Sequence, residues 1–477
     1  MKAYLLLFST LFILSCGSNS SHNKQALESD NNLTLDQNSS HFNPSSKVIT
    51  IYVHGYQEEG FQRDGAYGLR WYNTFRSNLI QYTGLPTIST YDYNNNFNNM
   101  ITSVDYYGKE APEYYNEEDI QEIDEVTQTY GGGIPRYAMI VAKYAKDLLD
   151  HTEAEKINIV SVSMGSLVTR WMIEKDVEHL ASEKKIEKWI TVEGVIRGNY
   201  ALSVASDTII DLFLKRSPET DQMKYSWIKE HLTPTPERLS SPYYQDILVG
   251  QISLTNGDKE NSLMKYVLPF YGGFQPNDGF QLLKDTYFKT IGETVQSPSH
   301  ILLHEDHVDI KNNAAAFVNI SNFLEAKKRV RITLGDTTIT DIHETITDTN
   351  QGSEIVFESS VYSPLSKSVW ELEHAIDERL YYSGALKIYN YHENGQTYHL
   401  NQTIFDGFVL EDEEKLDIRI EGFEIDRSTT YDISEVNKVS KKESLGKRSQ
   451  IIPLQTGTYT ITGEDWRGTL EVEVLEM

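Results

Sequence analysis

Cysteine is almost missing from this chain: Cys16 is the only one in 477 residues. No intramolecular disulfide can form, and no cysteine-rich metal site can be built. Positive charge is also scarce, with 43 Lys and Arg against 70 Asp and Glu and a formal charge of −27. A phosphate backbone is held by basic surface, so this balance argues against nucleic acid as a partner. Solubility outside the cytoplasm is the simpler reading of the acidity. Neither common glycine-rich phosphate loop occurs, and no redox or nucleotide cofactor is implied. The apolar run Ala3 to Leu14 is too short to span a bilayer as a permanent helix, but it suits the core of a signal peptide.

What the chain does contain is KINIVSVSMGSLVTRW, Lys156 to Trp171. Ile157, Ile159 and Val160 form a short β-branched run. Gly165 and Ser166 supply small residues at a sharp turn, and Leu167, Val168 and Trp171 resume at helical spacing. This reads as a buried strand breaking into a helix with Ser163 at the break. A strained turn of that kind holds a hydroxyl clear of the sheet, while small neighbours let strand and helix pass closely. Upstream, VITIYVH is a strand that stops at His54-Gly55-Tyr56, where glycine permits a turn that points amides into a cleft. His54 reads as a residue bracing that loop rather than as a base.

After the strand-like segment Ile247 to Asn256 comes QPNDGF, with Asp278 in a polar turn beside Asn277 and Gly279. Taken alone, it is better explained by a plain Asn-Asp-Gly turn. SHILLHEDHVDI then offers three histidines beside a short apolar strand, followed by a helix from Asn312 to Ala326. His307 lies just beyond the strand and is preferred. His304 alternates with Leu302 along it and His300 precedes it, which suits structural or solvent-facing roles.

Together these segments resemble the lipases and esterases of the α/β-hydrolase family. IYVHGYQ looks like the oxyanion strand and loop, VSVSMGSLVTRW like the nucleophile elbow, TVEGVIRGNYAL like the segment after the next strand, PNDG like the acid turn and DHVDI like the histidine turn. They cover about Val48 to Lys328 and occur in family order. Ser161, Val162 and Ser166 depart from the usual glycine, histidine and glycine. The resemblance implies a catalytic triad of Ser163, Asp278 and His307, with an oxyanion hole from the amides of Tyr56 and Met164. The expected activity is cleavage of acyl esters through an acyl-enzyme, as a lipase or carboxylesterase, with no cofactor required. The alternative is a lipid-anchored binding or adhesion protein whose hydrolase-like domain has weak activity or none. In calcium-dependent members, carboxylates before the acid turn and after the histidine hold a structural ion. Asp258 and Asp309 occupy comparable places, although plain surface charge is the better reading in so acidic a chain, since two aspartates do not fill a coordination sphere.

Ile13-Leu14-Ser15-Cys16-Gly17 looks like a bacterial lipobox, which makes Cys16 the lipidated residue and residues 1–16 a lipoprotein signal. Residues 17–47, rich in Ser and Asn, read as a flexible tether. The expected location is the bacterial cell envelope, anchored outside the cytoplasm, with an ester or lipid substrate and the membrane as partners. A strand is expected over Pro86 to Tyr93. The acidic, tyrosine-rich stretch Val104 to Val126 then reads as a solvated insertion, ahead of a helix from Ile134 to Leu149. Ala201 to Leu214 has an apolar helical pattern that suits either a lid or a packing helix.

The fold class expected is α/β: a mostly parallel sheet flanked by helices over residues 48–327, plus an antiparallel β-sandwich-like domain over 328–477. From Arg329 onward VRITL, SEIVFESSVY, ALKIYNY, LDIRIEGFEI, TYTITG and TLEVEVLE alternate as strands do. Trp370 and Trp466 there read as core.

Overall fold

The computed structural model describes residues 47–56, 70–87, 100–107, 115–205, 216–232, 238–239, 242–257, 264, 267, 275–288, 290–291, 298–325, 328–341, 353–363, 379–382, 388–391, 394–425 and 442–476. Cys16, the tether up to residue 46, Asp258 and Trp370 lie outside them.

The first strands and helices alternate along the chain: β1 (Val48–Val53), α1 (Arg70–Thr83), β2 (Met100–Ser103), α2 (Glu117–Tyr130), α3 (Ile134–His151), β3 (Lys156–Val162), α4 (Met164–Glu174) and β4 (Ile186–Val192). Short elements follow, α5 (Tyr200–Val204), α6 (Pro218–Gln222), α7 (Tyr225–His231) and β5 (Arg238–Leu239), then β6 (Leu248–Leu254), β7 (Thr290–Ile291), β8 (Ser299–Leu303) and α8 (Ala314–Glu325). Strands β2-β1-β3-β4-β6-β8 lie side by side and are all parallel, while β5 and β7 form a small pair of their own.

Alternation along the strands feeds two apolar layers. Ile49, Ile51, Val53, Ile157 and Ile159 pack on one face with Ile140, Tyr144 and Leu148 of α3 and Leu167 and Trp171 of α4. Tyr52, Val160 and Val162 turn to the other face, with Phe75 and Leu79 of α1 and Phe317 and Phe323 of α8. Phe75 and Tyr82 meet Phe317 with ring centroids 4.8 and 5.4 Å apart. Chain order reverses between β1 and β3, because β2 lies outside β1 and β4 outside β3. In open parallel sheets such a reversal opens a crevice at the strand C-termini.

Two expectations change here. The described strand before α2 is Met100–Ser103, whereas of Pro86–Tyr93 only Pro86 and Thr87 are described, Thr87 as an isolated bridge to Ile101. The acidic stretch does not stay a loop, since its second half is α2. Asn116 and Asp119 form a capping box, Glu117, Glu118 and Asp119 sit in the first turn where the helix dipole favours them, and Gly131 closes the helix at φ +78°. Lys143 of α3, buried, gathers Asp119 at 2.8 Å and Glu178 at 2.9 Å. Of Ala201–Leu214, α5 accounts for the start, and 206–215 lie outside the described residues.

From Lys328 onward every regular element among the described residues is a strand: β9 (Lys328–Ile339), β10 (Ser353–Tyr362), β11 (Arg379–Tyr382), β12 (Ile388–Tyr391), β13 (Thr397–Val409), β14 (Lys415–Ile425), β15 (Lys442–Pro453), β16 (Gly457–Thr462) and β17 (Trp466–Glu476). They divide between two sheets. One grows from the parallel sheet, where β11 pairs with β8 through Tyr382 and Leu303 and β10, β14 and β15 continue antiparallel. The other is antiparallel throughout, in the order β13-β9-β17-β16. They meet face to face, with Trp466 fully buried against Phe357 at 5.3 Å. Phe408 of β13 also meets Phe323 of α8 at 5.2 Å, and Gly407 leaves room for Ile301 of β8.

The second sheet buries an ion pair. Arg329 reaches Asp406 through Nε at 2.7 Å and Nη2 at 2.8 Å, and Arg331 adds a third bond at 3.1 Å. Removing one partner of a buried pair leaves the other charge uncompensated. Asp406→Ala is therefore expected to cost on the order of 3–5 kcal/mol, read as a lower urea midpoint at an unchanged slope.

Candidate functional site

Ser163 stands one residue beyond β3 and one before α4, with φ +52°. A positive φ is costly for any residue with a Cβ and persists only where neighbours fix it. Here the Ser163 N–H donates to Val192 O at 2.9 Å, and Ser163 O accepts from Ser166 N at 3.0 Å and Val195 N at 3.1 Å. The turn is possible because α4 abuts the end of β1. A Cβ on Gly165 would lie 2.2 Å from His54 O and 2.6 Å from Val53 O, both backbone atoms. This contact brings the Met164 end of α4 beside the His54-Gly55-Tyr56 loop. Tyr106 braces the loop by donating its hydroxyl to His54 O, and its ring stacks on His54 at 4.3 Å.

The departures from the usual glycines are accommodated in kind. Ser161 Oγ donates to Ile190 O at 3.2 Å and accepts from Trp189 Nε1 at 3.0 Å, while Ser166 Oγ donates to Ser161 O at 3.2 Å. Gly194 faces Ser166: a Cβ there would sit 2.8 Å from Ser166 Cβ. The space one chain gives up on α4 is returned after β4.

Parallel order, with a strained serine between a central strand and its helix at the reversal, defines the architecture. The fold is an α/β-hydrolase fold.

His307 comes from the loop after β8. Its Nε2 is 3.1 Å from Ser163 Oγ, and its Nδ1 is 2.9 Å from Asp278 Oδ2. The loop is tied to the acid turn, since His307 N donates to Asp278 O at 2.8 Å. Asp278 Oδ1 accepts from the amides of Phe280 at 2.8 Å and Gln281 at 2.6 Å, so three donors hold its carboxylate. The structure thus brings Ser163, His307 and Asp278 into one line. His304 and His300 do not join them. His304 Nδ1 lies 3.4 Å from Thr255 Oγ1, and His300 is bonded to Ser253 Oγ at 2.9 Å and stacked on Tyr287.

One acid at the site has no counterpart in the sequence reading. Glu193 directly follows β4 and is fully buried, at φ +45°. Val162 and Val192 pair in register, so Ser163 and Glu193 leave adjacent parallel strands at the same level. Glu193 Oε2 is 3.2 Å from His307 Nδ1. Burial, with the Asp278 and Asp306 carboxylates nearby, pushes the Glu193 carboxyl well above the usual range. In sequence it shows only as the acid before glycine that ends the β-branched strand in IEKWITVEG, with no sign of the histidine it faces.

Of the pair expected to hold calcium, Asp258 is outside the described residues. Asp309 stands beside Glu305 and Asp306. Asp306 Oδ1 accepts from Val308 N at 2.8 Å and Asp309 N at 2.7 Å, which turns the loop that carries His307.

No protein-family model matches the chain, and no curated protein is recognisably similar to it. Among solved structures it is similar to the mature Bacillus licheniformis lipase BlEst2, with 13% identity over 57% of this chain and 89% of that one and a TM-score of 0.36. The propeptide form of that lipase covers 90% of this chain and 97% of its own at 9% identity and a TM-score of 0.39. The phospholipase PlaB of Legionella pneumophila covers 80% and 87% at 12% identity and a TM-score of 0.33.

Gly165→Ala is expected to push α4 off the β1 loop and misplace the amides there. The loss of one donor to an oxyanion costs on the order of 10²-fold in kcat, to be read with KM from the same progress curves. A second expectation concerns acid. Burial holds His54 at about 4 and His300 at about 3, against 6.5 for a free imidazole. The unfolded chain takes up these protons from about pH 6.5 downward, and the fold does not until pH nears those lower values. Stability is thus full above pH 6.5 and falls as pH drops toward 3. Urea midpoints at neutral and acid pH check this, with His300→Gln flattening the decline.

Proposed function

We propose that this protein is a serine ester hydrolase that cleaves acyl esters, as a lipase or carboxylesterase does. The observation that carries the reading is the relay Ser163 Oγ to His307 Nε2 at 3.1 Å and His307 Nδ1 to Asp278 at 2.9 Å, set on a strained elbow. A serine hydroxyl is a weak nucleophile until a base takes its proton as it attacks.

In the first half of the reaction His307 Nε2 accepts the Ser163 proton while Oγ bonds to the ester carbonyl carbon. The resulting oxyanion is met by the amides of Met164 and Tyr56, with the N-terminal end of α4 adding its dipole. Asp278 keeps the Nδ1–H tautomer in place and stabilises the imidazolium. His307 then gives the proton to the departing alkoxide, leaving an acyl group on Ser163. Water enters, loses a proton to His307 and attacks the acyl carbon, and Ser163 recovers its proton as the acid leaves. The exposed Val308 beside His307, and Phe280 with its ring 5.1 Å from the imidazole, offer apolar surface that suits an acyl or alkyl group.

We also propose that Cys16 carries lipid and that the polar stretch after it tethers the enzyme at the cell envelope. What supports this is the apolar run before Cys16 and its flanking Leu-Ser and Gly residues.

Ser163→Ala is expected to abolish turnover of p-nitrophenyl esters, by about 10⁴-fold or more, and to abolish labelling by a fluorophosphonate while the melting temperature is kept. His307→Ala is expected to match it and His304→Ala to remain active. Undiminished turnover in Ser163→Ala sinks the assignment.

A further inference from the structure

We propose that Glu193 is a second positioning carboxylate for His307, able to orient the imidazole in place of Asp278. The inference rests on the hydrolase reading of the same site.

Three observations carry it. The first is distance: Asp278 Oδ2 at 2.9 Å and Glu193 Oε2 at 3.2 Å share one nitrogen, His307 Nδ1. That nitrogen has one hydrogen to give, and it goes to Asp278 in acceptable geometry. The second is the lack of any other work for Glu193. Its side chain is fully buried, and neither oxygen accepts a well-aligned hydrogen bond among the described residues. A buried carboxyl without partners is expensive to keep, so its persistence in a fold calls for a reason. The third is how firmly it is held. Glu193 N donates to Ile252 O at 2.8 Å, and Glu193 O accepts from Gln281 Nε2 at 3.1 Å. Gln281, itself fully buried, also donates its amide to Asp278 Oδ1 at 2.6 Å and accepts from Asp278 N at 3.1 Å. One glutamine therefore fixes both acids relative to each other, and the strained φ of Glu193 aims its side chain at the imidazole rather than along the strand.

The two acids then divide the work by their surroundings. Asp278 has donors and serves as the carboxylate. Glu193 has none, and burial, with the Asp278 charge beside it, pushes its carboxyl well above the usual range. Substituting Asp278 by a neutral group removes one of the charges that disfavours ionised Glu193, and the Nδ1–H then has the Glu193 carboxyl 3.2 Å away at the other side. No proton leaves Nδ1 in either arrangement.

The test uses the full chain with Asp278→Asn, Glu193→Gln and the double variant, on a p-nitrophenyl ester. A triad with one acid loses about 10⁴-fold in kcat when that acid becomes an amide. Here Asp278→Asn is expected to lose about 10²-fold and Glu193→Gln less than tenfold, while the double variant reaches about 10⁴-fold. KM should stay within about twofold throughout, which separates positioning of the base from damage to the substrate site. Equal rates for Asp278→Asn and the double variant overturn the proposal, as does Glu193→Gln alone falling as far as Asp278→Asn. Should the double variant not fold, the low-field proton signal of His307 Nδ1–H in Asp278→Asn decides: persistence supports a second acceptor and its disappearance overturns one. If the unsubstituted chain shows no turnover that depends on Ser163, the hydrolase reading falls, whereas the proton signal still reports on Glu193.

Discussion

Between the first turn of α4 and the last residues of β1 there is no room for a side chain, and most of the site follows from that contact. Gly165 lets helix and strand backbones approach until a Cβ would be 2.2 Å from His54 O. The approach forces the chain to leave β3 through a positive φ at Ser163 and lifts its hydroxyl above the sheet. It also sets the amide end of α4 beside the turn after β1, at the point where strand order reverses. The Ser163 hydroxyl and the amides beside it are thus placed by one steric fact, and the hydrogen bonds that Ser163 gives to Val192 O and accepts from the amides of Ser166 and Val195 hold what sterics allow.

His307 and the two acids beside it are placed differently, by polar groups rather than by packing. The described parts of the loops after β6 and β8 hold only short helical turns and isolated bridges, and their positions depend on Asp278 receiving donors from its own turn and giving its carbonyl to His307 N. Burial raises the stakes of each bond, since an unpaired polar group is costly away from water. Glu193 is the exception that the site tolerates, and it stands next to the one group with a proton to share.

The elbow was legible because its requirements are local: a β-branched run, small residues at the break and apolar residues at helical spacing all fall within sixteen positions, Lys156 to Trp171. Asp278 and His307 needed more, since neither an Asn-Asp-Gly turn nor a histidine after a strand is distinctive alone, and family order supplied the missing constraint. Glu193 escaped because a residue at a strand end gives no local sign of what faces it, and its partners come from β6, from Gln281 and from the loop after β8. Helix α2 escaped for another reason. Acids in its first turn are what a helix dipole favours, yet in sequence they look like a solvated charge run, and Lys143, which gathers two of its acids, is about twenty residues downstream. The joining of β8 to β11 is a pairing between strands nearly eighty residues apart, which alternation within either strand does not encode.

Phe408 lies a hundred residues beyond His307 in the chain, yet it touches Phe323 in the helix that follows the histidine loop, just as Gly407 yields to Ile301 in the strand that precedes it. The loop that presents His307 is thus flanked at both its ends by contacts from two consecutive residues of β13. Any drift in the volume of those C-terminal residues must be answered in β8 or α8 for the imidazole to keep its bearing. In a lineage of such chains, changes on β13 and changes around the histidine loop would accumulate as a correlated pair, although β13 lies far from His307 in the sequence.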